Sequence, residues 1–244
     1  MDAAQTIRDC IADVTALRLH RAGDTALGAA VGAVKALQAR RFRGSYDDLL
    51  QSPAFAPAAR FFLAELYSAA DYTARDQQFG RIAGTLQTLF PAPVVATAVA
   101  LAELHAQTEA LDQDMGRAWL AAQGADAARY ATAWRAVGQR PARQQQLQRV
   151  LAMGADLARL TRTPGLRTML RMMRGPANAA GLGALQQFLE AGFDTFGQLA
   201  RQRGAVDQFL ATIEAREQAL MDLLFDAEPA ACAAALAATL GQAR

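Results

Sequence analysis

The sequence predicts an all-α fold, a multi-helix bundle of about ten helices in a single globular domain over residues 1–244. Alanine, the best helix former, supplies 59 of the 244 residues, whereas valine and isoleucine, which favour strands, together supply 13. Apolar residues recur at intervals of three and four along most of the chain, which is typical of helices with one buried face. Short predicted connections, of about two to six residues, make consecutive helices antiparallel neighbours.

The first half of the chain contains six segments with helical spacing. They cover, in order, about residues 3–21, 25–42, 46–51, 57–68, 73–90 and 94–122. The residues that cap or break helices between them are, in order, Asp24, Gly44, the pair Ser45 and Asp48, Ser52-Pro53, Asp71, and Pro91 with Pro93. Gly44 is expected just after the second helix, where a left-handed glycine ends many helices. In the fifth segment, Phe79, Ile82, Leu86 and Phe90 predict one buried face.

The second half contains seven further segments, of which the last is a weak tail helix. They cover about residues 126–137, 142–161, 165–174, 178–190, 193–202, 205–225 and 230–240. The helix breakers lie between these segments: Gly124 before the first, Thr163-Pro164 before 165–174, and Gly175-Pro176 before 178–190. A weak possible sub-boundary lies near 138–143, where Gly-Gln-Arg-Pro interrupts the helices, but no linker long enough to separate two domains is visible.

Composition excludes several classes of protein. Cys10 and Cys232 are too few for a disulfide scaffold or a zinc site made of paired cysteines. The longest uncharged run, residues 82–102, is broken by two prolines, so no transmembrane segment is predicted. The first twenty residues are too charged for a secretory signal, and a cytoplasmic location is therefore expected.

The densest aromatic cluster is the segment 61–67, which reads FFLAELY. On a helix its apolar side chains point in nearly all directions, which predicts a buried helix. Glu65 would then be a buried carboxylate, and such a group needs a partner; Arg75 and Arg81 are the nearest cations on the following helix. Two interpretations stay open: a structural ion pair or bond to backbone amides, and a functional carboxylate that is easily protonated or binds a metal.

This segment resembles the motif of an uncharacterised bacterial family, the FFLEELY-motif proteins, with Ala64 in place of the first glutamate. Further segments that resemble the family are Asp71-Tyr72, Arg75-Asp76, the run from Ala102 to His105, the run from Phe188 to Asp194, and the run from Arg216 to Leu220. The resemblance spans roughly residues 40–225. It implies a soluble helical bacterial protein and no particular activity, and Ala64 makes any mechanism with a carboxylate pair inside the motif doubtful.

The acids and histidines of the chain do not form the pattern of a dinuclear metal site. Such a site needs carboxylates and Glu-x-x-His pairs from several helices. On the long helix Glu103 and His105 lie about 160° apart, and Glu109 lies about 130° from the centre of the apolar stripe, so Glu109 is expected to face water. His105 is expected to be a hydrogen-bonded residue at the edge of the buried face rather than a haem ligand. We therefore expect no metal and no cofactor.

The most basic part of the chain surrounds a helix rich in arginine and methionine. Residues 139–180 hold eight arginines and one acid, and residues 164–174 read PGLRTMLRMMR. Arg167, Arg171 and Arg174 fall on one face of a helix, and leucine and methionine side chains fall on the other. This pattern fits a site for an anion or for an acidic partner. It also fits an ordinary amphipathic helix whose apolar face is in the core and whose arginines are solvated or paired with the acidic residues 181–244.

The sequence thus favours a non-enzymatic helical protein that binds a protein partner or a small anionic ligand through Arg167, Arg171 and Arg174. The alternative is an enzyme that uses Glu65 in an aromatic pocket. Nucleic acid is not expected as a partner, because the chain has one lysine and no aromatic residue between Trp134 and Phe188 to stack on bases. The sequence does not specify the reaction, the ligand or the oligomeric state.

Overall fold

A computed structural model describes residues 2–65 and 70–243. Those residues form thirteen α-helices and no strand, which confirms the predicted all-α multi-helix bundle. The helices, named in chain order, are α1 Ala3–Gly23, α2 Thr25–Ser45, α3 Asp47–Gln51, α4 Ala56–Glu65, α5 Thr73–Leu89, α6 Ala92–Ala121, α7 Asp126–Val137, α8 Arg140–Leu160, α9 Leu166–Met172, α10 Arg174–Ala179, α11 Gly183–Leu199, α12 Ala205–Asp226 and α13 Pro229–Gln242. None of these described helices has the length and apolar character that a membrane span requires.

The chain divides into two compact units. Unit 1 consists of Met1–Ala16, Ala70–Gln107 and Arg149–Leu210. Unit 2 consists of Leu17–Ala69, Thr108–Gln148 and Ala211–Arg244. The single domain expected from the sequence stays a prediction.

The core of unit 1 is built where α5 packs against α11 and α1. Phe79 and Leu86 of the predicted α5 stripe are buried, and Ile82 and Phe90 pack against the same cluster while partly exposed. From α1 and α11 the cluster receives Ile7 and Leu185. The spacing of apolar residues therefore identified the buried face of α5 correctly, because one face of this helix packs against its neighbours and the other faces solvent.

The helix α11 is continuous where the sequence predicted two helices, 178–190 and 193–202. Gly192 lies in its interior and is buried. Its apolar face runs through Leu185, Phe193 and Phe196, so the three-and-four spacing continues across the glycine. An interior glycine costs a helix about 1 kcal/mol, which is less than the burial of two phenylalanine side chains contributes.

In unit 2 the last helix, α13, packs against α2 and α7. It buries Cys232, Leu236 and Leu240, so it is more than the weak tail helix expected from the sequence. The prediction that Gly44 ends the second helix is wrong, since α2 continues to Ser45. Gly44 is buried, and a Cβ placed on it would lie 1.9 Å from the carbonyl oxygen of Thr239. The glycine lets α2 and α13 approach closely rather than letting the chain turn.

A tight turn joins α7 to α8. Gly138 has φ +65° and Gln139 has φ +56°, and Gln139 is the one non-glycine residue with positive φ among the described residues. A side chain with a Cβ is disfavoured in this left-handed region. The side chain of Gln139 donates to Asp114 Oδ2 at 3.2 Å, which partly offsets that cost.

Substitution at Gln139 tests the left-handed turn. We expect Gln139→Gly to be more stable than Gln139→Ala by about 1 kcal/mol, because both remove the exposed bond to Asp114 and only glycine relieves the backbone. Urea denaturation of the two variants measures the difference. Equal stability, or a more stable alanine variant, would show that residue 139 does not adopt this conformation in solution.

Candidate functional site

The arginine–methionine segment lies in unit 1, on α9 and at the start of α10. Arg167 pairs with Asp194 of α11, Nη2 to Oδ1, at 2.7 Å. Arg174 donates from Nε to Glu190 Oε1 at 2.6 Å, and this bond lowers the pKa of Glu190. Arg171 is exposed and has no ion-pair partner in the part of the chain that the structure describes. Two of the three predicted ligand-binding arginines thus bind acids of α11, and one is open to solvent.

The apolar side of α9 is only partly covered. No residue of α9 is buried. Met172 is 74% exposed and Met173, which follows the helix, is 37% exposed. Leu166, Met169 and Leu170 are half-buried. Clustered large apolar side chains on a surface indicate an interaction site, and methionine adapts to partners of different shape.

Sequence reasoning did not identify the α11 residues that hold α9 in place. Gln186 is buried and donates from Nε2 to the carbonyl of Leu170 at 2.7 Å and to Glu190 Oε1 at 2.8 Å. Glu190 and Asp194 follow at intervals of four, so all three face α9 from one side of α11. The negative charge of residues 181–244 was the available clue, but charge balance alone does not say which acid meets which arginine.

A second polar cluster of unit 1 brings together three segments that carry the family resemblance. His105 Nε2 lies 2.8 Å from Asp76 Oδ2, and Asp76 is buried. The guanidinium of Arg75 lies over the rings of Tyr72 and Phe188, with 3.9 Å and 4.6 Å to their centroids. The prediction that His105 is a hydrogen-bonded residue beside the buried face is thus confirmed. A carboxylate beside an imidazole is an arrangement also found in sites that transfer protons.

Two of the residues considered as metal ligands form polar pairs in unit 1. Glu103 pairs with Arg149 at 3.3 Å, and His105 pairs with Asp76 at 2.8 Å. Within the described residues, no three His, Cys, Asp or Glu side chains are placed to hold a metal ion. Burial raises the pKa of the Cys10 and Cys232 thiols, so their nucleophilic thiolate forms are disfavoured.

The prediction that Glu109 faces water is wrong. Glu109 lies in unit 2 and is 4% exposed. Its carboxylate accepts hydrogen bonds from Arg21 at 2.6 Å and from Lys35 at 2.5 Å. Burial opposes the charge, but the two cations hold the pKa of Glu109 at about 2. Asp112, one turn further along α6, is also buried, and burial raises its pKa. The helical wheel missed this because it assumed one buried face, whereas neighbouring helices cover α6 on more than one side.

Glu65 is the last residue of α4 and is half-buried rather than buried. Of the segment 61–65, Phe62 is buried, Phe61 and Leu63 are half-buried, and Ala64 is exposed. Leu66 and Tyr67 of the FFLAELY motif lie outside the described residues. A role for Glu65 in catalysis stays a prediction, and so does the site at Arg167, Arg171 and Arg174.

Comparison with known proteins adds a family without an assigned activity. A family model described as "Domain of unknown function (DUF8198)" matches residues 17–231. No curated protein and no solved structure matches the chain. The prediction that the chain belongs to an uncharacterised family is confirmed. The prediction that this family is the one with the FFLEELY motif stays a prediction.

Proposed function

Because the chain belongs to the DUF8198 family, which carries no assigned activity, we propose from the geometry of α9 that it is a binding protein for an acidic amphipathic segment of another protein. The observation that carries the proposal is a seven-residue helix with none of its residues buried, although five of the eight residues 166–173 are leucine or methionine. An apolar strip of this kind is stabilised by covering it. The predicted cytoplasmic location and bacterial origin form part of the same proposal.

The charges beside the strip specify the kind of partner. Arg171 and Arg162 are exposed and have no ion-pair partner among the described residues, so their charges are available to an acidic segment. Arg167 and Arg174 are held by Asp194 and Glu190, which fixes the helix but leaves few donors for a small anion. A partner that combines carboxylates with leucine-like side chains therefore fits better than a small anionic ligand.

A defined peptide tests this proposal. The probe is a fluorescein-labelled synthetic helix with leucine on one face and glutamate on the other, and fluorescence anisotropy measures its binding to the full chain. We expect saturable binding that weakens at least tenfold in Met172→Gln with Met173→Gln, because the anchor side chains become polar. Arg171→Glu is expected to weaken binding, and added salt is expected to weaken it further.

Leu89→Gln is the matched control, since Leu89 is equally apolar and 69% exposed in the same unit. It is expected to bind like the unmodified protein, and all these variants are expected to melt at nearly unchanged temperature because they change exposed side chains. Equal binding by the double methionine variant and the unmodified protein would contradict the proposal. Displacement of the peptide by millimolar inorganic phosphate would instead assign the surface to small anions.

A further inference from the structure

The described methionines fall into two sets that differ in their access to solvent. Three are buried inside the two units: Met115, Met153 and Met221. The other three lie within five residues of one another on the arginine–methionine segment. Met172 is 74% exposed, Met173 is 37% exposed, and Met169 is half-buried. Among the described residues, a reagent that attacks methionine sulfur in the folded protein therefore finds its accessible targets on this segment.

Leucine occupies comparable positions of the same segment. Leu166 and Leu170 are half-buried on α9 and belong to the same apolar strip. An apolar contact is thus available from either residue type. Methionine differs from leucine in two respects, since its thioether is flexible and polarisable and can be oxidised. Oxidation needs access to the sulfur, and Met172 is the most exposed apolar side chain of the segment.

The two thiols of the chain compete poorly for an oxidant. Cys232 is buried and Cys10 is half-buried. Burial raises the pKa of both thiols and keeps them neutral, whereas peroxides react with the thiolate form. The thioether of methionine has no proton to lose, so its oxidation at neutral pH is governed by access alone. An oxidant is therefore directed to the exposed methionines.

We propose that Met172 and Met173 form a reversible oxidation site that controls the apolar strip on α9. Hydrogen peroxide is the oxidant: one of its oxygen atoms bonds to Sδ as the O–O bond breaks, the thioether loses two electrons, and the other oxygen leaves as water. A sulfoxide is a polar acceptor, so each oxidised side chain disfavours burial against an apolar partner. A dithiol reductase reverses the step by removing the oxygen as water, and its thiols become a disulfide. The effect on a partner rests on the function proposed above, whereas the oxidation itself does not.

Tandem mass spectrometry of the full chain tests the site without a partner. The protein is treated with hydrogen peroxide for increasing times, catalase stops the reaction, and peptide masses give the sulfoxide fraction at each methionine. We expect Met172 to react faster than Met173, and both to react about tenfold or more faster than the buried methionines, which become accessible only when the structure opens. In urea all methionines are expected to react at one rate. Methionine sulfoxide reductases of both stereospecificities, with dithiothreitol, are expected to restore both exposed side chains.

Leucine at both positions gives the matched variant, because it keeps the apolar strip and removes the sulfur. Met172→Leu with Met173→Leu is expected to bind the synthetic leucine–glutamate helix like the unmodified protein and to keep that binding after peroxide treatment. The unmodified protein is expected to bind about tenfold more weakly after oxidation and to recover on enzymatic reduction. Met153→Leu, which removes a buried methionine of the same unit, is expected to remain as sensitive to peroxide as the unmodified protein.

Three results would overturn the proposal: equal oxidation rates at the exposed and the buried methionines, sulfoxides that the reductases do not repair in the folded protein, and loss of binding in the double leucine variant after peroxide treatment. If the untreated protein does not bind the peptide, the proposed function is wrong. Retention on a hydrophobic-interaction column then decides the oxidation site together with the rates. The oxidised protein is expected to elute earlier than the reduced protein, and the double leucine variant is expected to elute unchanged. Equal retention of the oxidised and reduced unmodified protein would contradict control of the apolar strip.

Discussion

Replacing Gly44 by alanine is expected to destabilise the protein by about 3 kcal/mol or more, because the new methyl group would lie 1.9 Å from the carbonyl oxygen of Thr239. A backbone atom cannot move aside as the end of a flexible side chain can, so α13 must shift away from α2. That shift would loosen the buried contacts of Leu236 and Leu240. Chemical denaturation followed by circular dichroism measures the free energy of unfolding.

Gly32 provides the matched control, since it lies in the same helix and nothing stands within 4 Å of a Cβ placed on it. Gly32→Ala is expected to stabilise the protein by about 0.5–1 kcal/mol through helix propensity alone. The opposite signs at two glycines of one helix separate close packing from propensity. If Gly44→Ala is as stable as Gly32→Ala, α2 and α13 are not in contact at this point.

Glu109→Gln is expected to destabilise the protein by about 3–5 kcal/mol, because it leaves Lys35 and Arg21 without the carboxylate that neutralises them. The control is Asp126→Asn, which breaks the exposed pair with Arg40 at 3.1 Å and is expected to cost less than about 1 kcal/mol. Urea denaturation at neutral pH measures both. A cost for Glu109→Gln no larger than that for Asp126→Asn would show that Glu109 is solvated.

The pH dependence of stability gives the same carboxylate a second test. The pKa of Glu109 falls from 4.5 in the unfolded chain to about 2 in the folded protein. Its contribution is therefore complete above pH 4.5 and is lost as the pH falls toward 2, by about 3 kcal/mol over that range. Asp112 acts in the opposite direction, because burial raises its pKa and its ionisation at higher pH costs stability. We expect the acid branch of the stability curve to flatten in Glu109→Gln.

Local rules predicted the parts of the fold that depend on neighbours in sequence. The cap at Asp24 is an example, since its carboxylate accepts from the backbone N–H of Leu27 at 3.0 Å. The buried face of α5 is another, because the period of its apolar residues is a property of one helix. Glu109 and Gly44 were misplaced because their surroundings come from other helices, 74 residues away at Lys35 in one case and at Thr239 in the other.

The same reasoning applies to the candidate sites. The three arginines around α9 and the methionines beside them were visible as a pattern, but only the structure shows that Met172 is exposed and that Asp194 holds Arg167. The buried contact between Arg143 and Trp134, with the guanidinium carbon 3.4 Å from the ring centroid, was not predicted, because the two residues come from different helices and no spacing rule joins them.

Lys35 is the one lysine of the chain, and its amine is bonded to Glu109 inside unit 2. The protein therefore presents a surface whose positive charge is carried by guanidinium groups, which acylating reagents do not modify at neutral pH. The Lys35 side chain is 18% exposed, and its amine must leave Glu109 before it can react, so esters that label amines are expected to modify it more slowly than a solvated lysine. The rate of Lys35 acylation, measured by peptide mass, thus reports local opening of the Lys35–Glu109 pair. Surface lysines, which obscure such measurements in most proteins, add no background here.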